Sequence, residues 1–416
     1  MITLFSVECP GCQAQILLRL GVGDERVPFY VICGRYHAPI REVFVAKPAD
    51  PPTRPLPTFS LELTTGRVLE ERIETHDQTF TLHPDFPTLL DAGSMDQSGG
   101  SPFLMAMQQL GDNGPMVMQN RATFLAQVHE YWPQIQRWFI YYLDENWSQF
   151  DAEARSFFDD VDEEYLAHEW VKHDAIHRAL DLVTAPGWFG DLYVRLKPEL
   201  WGLFEVSDPG FIAFAKSLGD VRDRQRNLFH CLDLVVEHRE AWLPAALALF
   251  YKDGAEAAFK ELRISRDDFP ALRDVYIASF EACHGSLDLV VAILNLVKRG
   301  DPDNFGATVP PRLASQGVRR PPRHLGDFRK IPAASKAEYL VELPGWYAEW
   351  PVVLDRSLRN AIGHHSVHHD LASGTLKRDK GPDIPYIQFA ANVQQLLHPL
   401  LTMLNVVKLV RIASSV

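Results

Sequence analysis

The sequence is poor in cysteine and in basic residues, and these two shortages exclude several classes of protein. Five cysteines in 416 residues, an odd number, do not suggest a disulfide framework, so we expect a reducing, cytoplasmic compartment. The 41 basic residues are outnumbered by 54 acidic ones, and the net charge is -13. A surface that is basic throughout is therefore excluded, and any contact with nucleic acid has to come from a local patch.

The sequence also lacks the apolar segments that would mark export or a membrane anchor. The first residues carry no basic segment followed by an apolar run, so we expect no secretory signal. The longest charge-free stretch, residues 384–407, has the length to cross a bilayer, but it contains two prolines and several amide side chains. A helix facing lipid would not carry so many polar groups, so this stretch predicts a buried or dimer-interface helix and no membrane partner.

Hydrophobic spacing predicts a mainly α protein with a small N-terminal β module. Short apolar runs with period two are confined to the first part of the chain, whereas spacings of three and four dominate from about Met116. We divide the sequence into four consecutive parts: residues 1–50, a zinc-ribbon-like β module; 51–115, a proline-rich linker with short strands; 116–265, a helical middle region; and 266–416, a helical domain with a basic loop over 300–335. Within the second part, 91–114 is expected to be loop.

Four residues of the β module have the spacing of metal ligands. Cys9 and Cys12 form a C-x2-C turn, and Cys33 with His37 forms a C-x3-H unit. Thiolate and imidazole are the ligands that tetrahedral zinc prefers, so the set resembles a zinc ribbon in which a histidine replaces one cysteine. Four protein ligands leave no open position, and the zinc would be structural. The alternative is that Cys33 ends a buried strand and His37 lies on the surface.

The loop over 300–335 concentrates positive charge in an acidic protein. We predict RNA contacts at five of its residues, although a solvated loop kept soluble by its charges is an equal alternative: Arg319, Arg320, Arg323, Arg329 and Lys330.

Histidines at helical spacing in the middle region leave a second function open. His168, the pair His173-Asp174 and His177 lie on one predicted helix. A His-Asp pair is the core of metal-dependent HD phosphohydrolases, which also need a histidine and an aspartate on other helices.

Side chains suited to proton transfer and anion binding are most concentrated in residues 358–370, which contain an arginine, an asparagine and four histidines. A helix over 355–365 places His365 on the apolar stripe, as a core residue, and leaves His364 exposed. Arg359 and Asn360 lie outside that stripe. Alternatively, Arg359 pairs with Asp355 one turn earlier, or the histidines bind a metal.

The sequence Arg359-Asn360-x-x-x-His364 resembles the R-N-x-x-x-H motif of HEPN domains, in particular bacterial HEPN ribonucleases of the toxin or phage-defence type. The resemblance covers about the C-terminal third. It implies a HEPN-like helical bundle that forms a homodimer and cleaves RNA without a catalytic metal or cofactor, through attack of the 2′-hydroxyl. His364 would then act as general acid or base, Arg359 would hold the phosphate, and Asn360 would orient the ribose or the paired helices. Glu281 and Asp288 are candidates for an acidic residue that positions the arginine. A catalytically silent HEPN-like binding module is the alternative.

Overall fold

The computed structural model describes residues 2–21, 26–47, 58–69, 75–89, 101–159, 161–188 and 206–415, and these form two compact units. Unit 1 contains residues 1–117, 238–274 and 361–394, and unit 2 contains 118–237, 275–360 and 395–416. Each unit is therefore assembled from three separate segments of the chain. The four consecutive parts expected from the sequence do not include units of this kind. The proline-rich residues 48–57 lie outside the described part of the chain.

The N-terminal β module of unit 1 consists of two sheets that share one core. Antiparallel β1 and β2 are flanked by β6 and β7, while β3, β4 and β5 form a second antiparallel sheet. Alternate side chains of β2 and β4 are buried, as expected for strands with one face on the core. The strands are β1 Ile2–Glu8, β2 Gln15–Gly21, β3 Arg26–Ile32, β4 Pro39–Lys47, β5 Thr58–Leu63, β6 Arg67–Val68 and β7 Gln78–Leu82.

The later segments of unit 1 add short strands and helices. A two-stranded sheet joins β8 (Thr88–Leu89) to β9 (Leu262–Arg263), and a three-stranded sheet contains β10 (Val367–Asp370), β11 (Thr375–Arg378) and β12 (Ile384–Pro385). The helices are α1 Pro102–Leu110, the start of α2 Gly114–Leu143, α8 Arg239–Ala246, α9 Ala255–Glu261, the start of α10 Phe269–Gly285, and α17 Tyr386–Gln395. The loop expected over 91–114 is therefore wrong for residues 102–110, where Pro102 at the helix start and buried Ala106 and Leu110 produce a helix. Residues 91–100 lie outside the described residues.

Unit 2 is helical in the part that the structure describes. Its last helix is buried on all sides, and it packs against α5, α6, α7 and α11. The helices are most of α2, α3 Trp147–Phe157, α4 Glu163–Leu166, α5 Glu169–Thr184, α6 Pro209–Ser217, α7 Arg222–Glu237, the end of α10, α11 Leu287–Arg299, α12 Pro311–Ser315, α13 Leu325–Lys330, α14 Ala333–Ala337, α15 Pro344–Val353, the start of α16 Arg356–Gly363, and α18 Leu397–Ser415. The expectation of a mainly α protein with a small N-terminal β region is confirmed.

Two regions differ from the expected helix pattern. The loop over 300–335 contains the short helices α12, α13 and part of α14, and a β-hairpin made by β10 and β11 follows α16. Two helical stretches, 269–299 and 386–415, are apolar and long enough to cross a membrane by length and composition, but 78% and 89% of their most apolar windows are buried within the protein. Both stretches therefore lie largely inside the protein, and residues 397–411 form the centre of unit 2.

Candidate functional site

Helix α16 carries the arginine and asparagine of the motif and has defined signals at both ends. At its start, the carboxylate of Asp355 accepts a hydrogen bond from the backbone N–H of Ser357 at 2.7 Å, which satisfies one free donor of the first turn. At its end, the N–H of His365 donates to the carbonyl of Ile362, and the N–H of Ser366 donates to that of Ala361. This pair of bonds is a Schellman motif, so the helix ends at Gly363.

The terminating turn changes the role predicted for one of the two histidines. His365 has a φ of +55°, the left-handed conformation that closes a Schellman motif, and its side chain is exposed. The expectation of a core histidine is therefore wrong, because helical periodicity was continued past the residue where the helix stops. His364 is exposed, as predicted, and it caps the C-terminal end of the motif helix.

Arg359 is held by a carboxylate of an earlier helix. Its Nη2 forms an ion pair with Oε1 of Glu281 on α10, and the guanidinium lies 5.9 Å from the ring centre of Phe280. Nη1 donates to Oδ1 of Asn360 at 3.3 Å, whereas Nε has no hydrogen-bond partner among the described residues. The side chain is 32% exposed. The arginine is thus oriented, with its Nε buried and further N–H groups on Nη1 and Nη2, and its partner is Glu281 rather than Asp355.

The structure separates one of the five predicted RNA-binding residues from the others. Arg329 on α13 donates through Nε to Oδ2 of Asp288 at 2.6 Å. The other four are exposed and form no ion pair within the described ranges: Arg319, Arg320, Arg323 and Lys330.

The three cysteines of the β module form a compact group of sulfur atoms. Their Sγ atoms all lie within 4.8 Å of one another, and those of Cys12 and Cys33 are 3.5 Å apart. Tetrahedral zinc with Zn–S bonds of about 2.3 Å would separate its sulfurs by about 3.8 Å, so the group fits a metal ion. His37 is exposed and does not belong to this group.

Two turns of the β module have the same backbone hydrogen bonds, which explains why His37 lies apart from the three sulfur atoms. The N–H of Cys9 donates to Ala14 and that of Gln13 to Cys9, while the N–H of Cys33 donates to Ala38 and that of His37 to Cys33. Gln13 and His37 both have positive φ, +59° and +53°. His37 therefore corresponds to Gln13, one residue beyond the ligand position.

The residue that corresponds to Cys12 in the second turn is Tyr36. Backbone N–H groups of Gly11 and Cys12 donate to the sulfur of Cys9, and those of Arg35 and Tyr36 donate in the same way to the sulfur of Cys33. The Tyr36 ring lies against Gly11, where a β-carbon would come within 2.4 Å of it, and the residue is 57% exposed. The candidate metal site thus has three thiols, with a tyrosine where a zinc ribbon has its fourth ligand.

No family model, curated protein or solved structure matches this chain.

The histidines of α5 form separate contacts instead of a shared ligand set. The imidazole of His173 is 2.7 Å from the hydroxyl of Tyr142, and that of His177 is 3.0 Å from the amide of Gln225. Asp174, on another face of the helix, accepts from Lys408 at 3.1 Å. Within the described residues, the cysteine group is the one set of three or more candidate ligands that lie close together. The geometry thus gives no support to an HD-type metal site.

A contact made by another histidine of residues 358–370 was not predicted from the sequence. His369 on β10 lies with its Nδ1 3.2 Å from Oδ1 of Asp267, and Arg41 lies 3.4 Å from the other oxygen of that carboxylate. The hydrogen bond with His369 lowers the pKa of Asp267, and the charge of Arg41 adds to this shift. Alternation along β10 would have predicted that His369 and its exposed neighbour His368 face opposite sides.

Proposed function

We propose that this protein is a metal-independent endoribonuclease of the HEPN type, with Arg359, Asn360 and His364 as its catalytic residues and RNA as its substrate. The observation that carries the proposal is the ion pair between Arg359 and Glu281. The resemblance implied an acidic residue on an earlier helix that positions the arginine, and Glu281 was one of two candidates for it. The same resemblance implies an effector of toxin or anti-phage type, and the cysteine content favours a cytoplasmic location.

The chemistry follows from the residues of the motif. The 2′-oxygen of one ribose attacks the neighbouring phosphorus, the bond to the 5′-oxygen breaks, and the products are a 2′,3′-cyclic phosphate and a 5′-hydroxyl. An imidazole titrates near neutral pH, so His364 is suited to take the proton of the 2′-hydroxyl or to donate one to the leaving oxygen. Arg359 would stabilise the negative charge that develops on the phosphate through the Nη–H groups that Glu281 and Asn360 do not use.

A single copy supplies one exposed histidine of the motif, whereas the reaction uses both a base and an acid. We therefore propose a homodimer in which α16 of a second copy runs antiparallel and places His364 of one chain beside Arg359 of the other. Among the C-terminal helices, α18 is buried within unit 2, so the contact is assigned to α16 and the exposed turn that follows it.

A metal held by the three cysteines, by contrast, would have a structural role. We propose that Cys9, Cys12 and Cys33 hold zinc, which would join the two turns of the β module. This zinc lies outside the proposed catalytic chemistry.

Cleavage of a labelled RNA in the presence of EDTA tests the proposed function. The wild-type protein should leave 2′,3′-cyclic ends, and Arg359→Ala and His364→Ala should each lower the rate by about 100-fold or more. His368→Ala is the matched control, because His368 is also exposed and lies close in sequence, and it should retain activity. Cleavage that requires an added metal would refute the mechanism. A wild-type protein that binds RNA without cleaving it would identify a silent HEPN-like binding module.

A further inference from the structure

Asp288 is a buried carboxylate of unit 2 that two arginines share. It lies on α11 with 2% of its side chain exposed, and it accepts from Nη1 and Nη2 of Arg224 at 2.6 and 3.1 Å. Nε of Arg329 donates to it at 2.6 Å. A buried carboxylate with charged partners is costly to expose or unpair, so it fixes the orientation of both guanidinium groups.

Most hydrogen-bond donors of these arginines remain unused. A guanidinium has five N–H groups, and the contacts with Asp288 use two of Arg224 and one of Arg329. Neither side chain has another hydrogen-bond partner in the described part of the chain, and they are 31% and 45% exposed. Both arginines therefore have donors available for an anion from solvent.

Lys336 adds a third positive charge without a counterion of its own. It lies on α14, with its Nζ 6.0 Å from the ring centre of Phe328, and it makes no ion pair with any described residue. Burial lowers its pKa; Arg224 and Arg329 lower it further, and the charges of Asp288 and Glu281 only partly oppose this. One buried carboxylate thus lies among three cations, and a bound anion would relieve the repulsion between them.

The positive charges of Lys336 and Arg359 act on the same neighbouring residues. Burial lowers the pKa of His284 to about 4, and the charges of Lys336 and Arg359 both contribute to that shift. Glu281, the partner of Arg359, also acts on Lys336. The guanidinium of Arg359 lies 5.9 Å from the ring centre of Phe280, which stacks on the ring of His284 at 4.0 Å, all within unit 2.

We propose that Arg224, Arg329 and Lys336 form a phosphate-binding subsite that holds a phosphodiester of single-stranded RNA adjacent to the one bound at Arg359. The assignment of RNA as the ligand rests on the proposed function, whereas the subsite itself rests on the contacts of Asp288. A polymer with one negative charge per nucleotide can engage both the subsite and Arg359, which a single small anion cannot.

Binding of a fluorescent oligouridylate with 2′-O-methyl groups tests the subsite separately from cleavage, because a blocked 2′-oxygen cannot attack. Lys336→Met keeps the apolar stem and removes the charge; it should weaken binding about fivefold to tenfold and make the slope of log K against log salt shallower by about 0.7. Lys336→Arg should restore both values. Arg329→Met should act in the same direction, with Arg224 remaining on Asp288.

Lys216→Met is the matched control, because Lys216 is an exposed lysine of unit 2 on α6 that makes no ion pair with the described residues and lies outside both the subsite and the predicted RNA contacts. It should change binding by less than about twofold. Equal losses in Lys336→Met and Lys216→Met would show a diffuse basic surface and refute the subsite. A wild-type protein that does not bind the oligonucleotide would also refute it. If the expected pattern holds but unmodified RNA is not cleaved, the subsite stands and the ribonuclease proposal fails.

Discussion

Glu281 and Arg359, far apart in the sequence, form an ion pair between α10 and α16. The carboxylate engages one end of the guanidinium, and the ring of Phe280 lies near it. The side chains are 50% and 32% exposed, so the pair contributes little to stability, at most about 1 kcal/mol. The principal effect of the ion pair is to fix the orientation of the Arg359 guanidinium and thus the direction of its unused Nη–H groups.

Replacing Glu281 by glutamine should therefore affect catalysis more than folding. We expect Glu281→Gln to lower kcat about tenfold or more with a small change in KM, because a loosely held arginine stabilises the transition state less well. The melting temperature should change by only a degree or two. Cleavage kinetics and thermal unfolding of the same preparation measure both. An unchanged kcat would show that the ion pair does not position Arg359.

Replacing His365 by glycine should stabilise the protein. The residue has a φ of +55°, which costs a side chain about 1 kcal/mol relative to glycine. Since glycine also has more freedom in the unfolded chain, we expect a net gain of about 0.5 kcal/mol, measured by urea unfolding. His368→Gly, on β10, should instead destabilise by a similar amount. A core role for His365 would produce a large loss in the first variant.

The third prediction concerns the fourth position of the cysteine group. Tyr36→Cys should complete a four-thiolate site and raise zinc affinity at least about tenfold, whereas His37→Ala should leave the affinity unchanged. Competition with a chromophoric chelator measures affinity, and the spectrum of the cobalt-substituted protein reports the number of thiolate ligands. Loss of zinc from His37→Ala, with no gain in Tyr36→Cys, would restore the histidine as the fourth ligand.

The fourth prediction concerns stability in acid. Burial lowers the pKa of His173 to about 3 and those of His284 and His398 to about 4. The unfolded chain binds protons at these residues below about pH 6.5, while the folded protein does not until near pH 4 or lower. The free energy of unfolding of unit 2 should thus fall as the pH drops from 6.5 to 4, by up to about 1.4 kcal/mol per pH unit for each histidine.

His284→Gln should reduce the slope of that decline. Trp350 donates to Nε2 of His284 at 3.2 Å, and Nδ1 lies 3.0 Å from the carbonyl of Phe280, so a neutral amide can replace part of this network. Urea unfolding at several pH values, compared with the exposed-residue control His230→Gln, provides the test. Equal slopes in all three proteins would mean that His284 does not contribute.

Local hydrophobic patterns predicted which segments form helices and strands. They were less successful at predicting the residue where an element ends. The residues of α11 are apolar almost all round, and Leu287 to Asn295 are all buried, as such a helix requires. His365 was misplaced because the Schellman motif that ends α16 has a histidine, not a glycine, at its left-handed position, so composition does not mark the end of the helix. Spacing also selected His37 over Tyr36, since the equivalence of the two turns depends on backbone hydrogen bonds that the sequence does not display.

The contacts of the candidate site join residues that are distant in sequence, and local sequence patterns do not predict such pairs. Residues 312–336 carry seven basic side chains, and nothing in their order distinguishes Arg329 from Lys330; the distinction comes from Asp288. Glu281 and Asp288 were both named as candidate acids, and the structure assigns the first to Arg359 and the second to Arg224 and Arg329.

The interleaved segments of the two units have a consequence for synthesis on the ribosome. Strand β8 finds its partner β9 only after the intervening helices have been made, and residues up to 394 belong to unit 1. At about 5–20 residues per second, the first segment of unit 1 waits for tens of seconds before its last segment has been translated. The β module has to remain soluble through that interval, when occupation of its cysteines by zinc would protect the two turns.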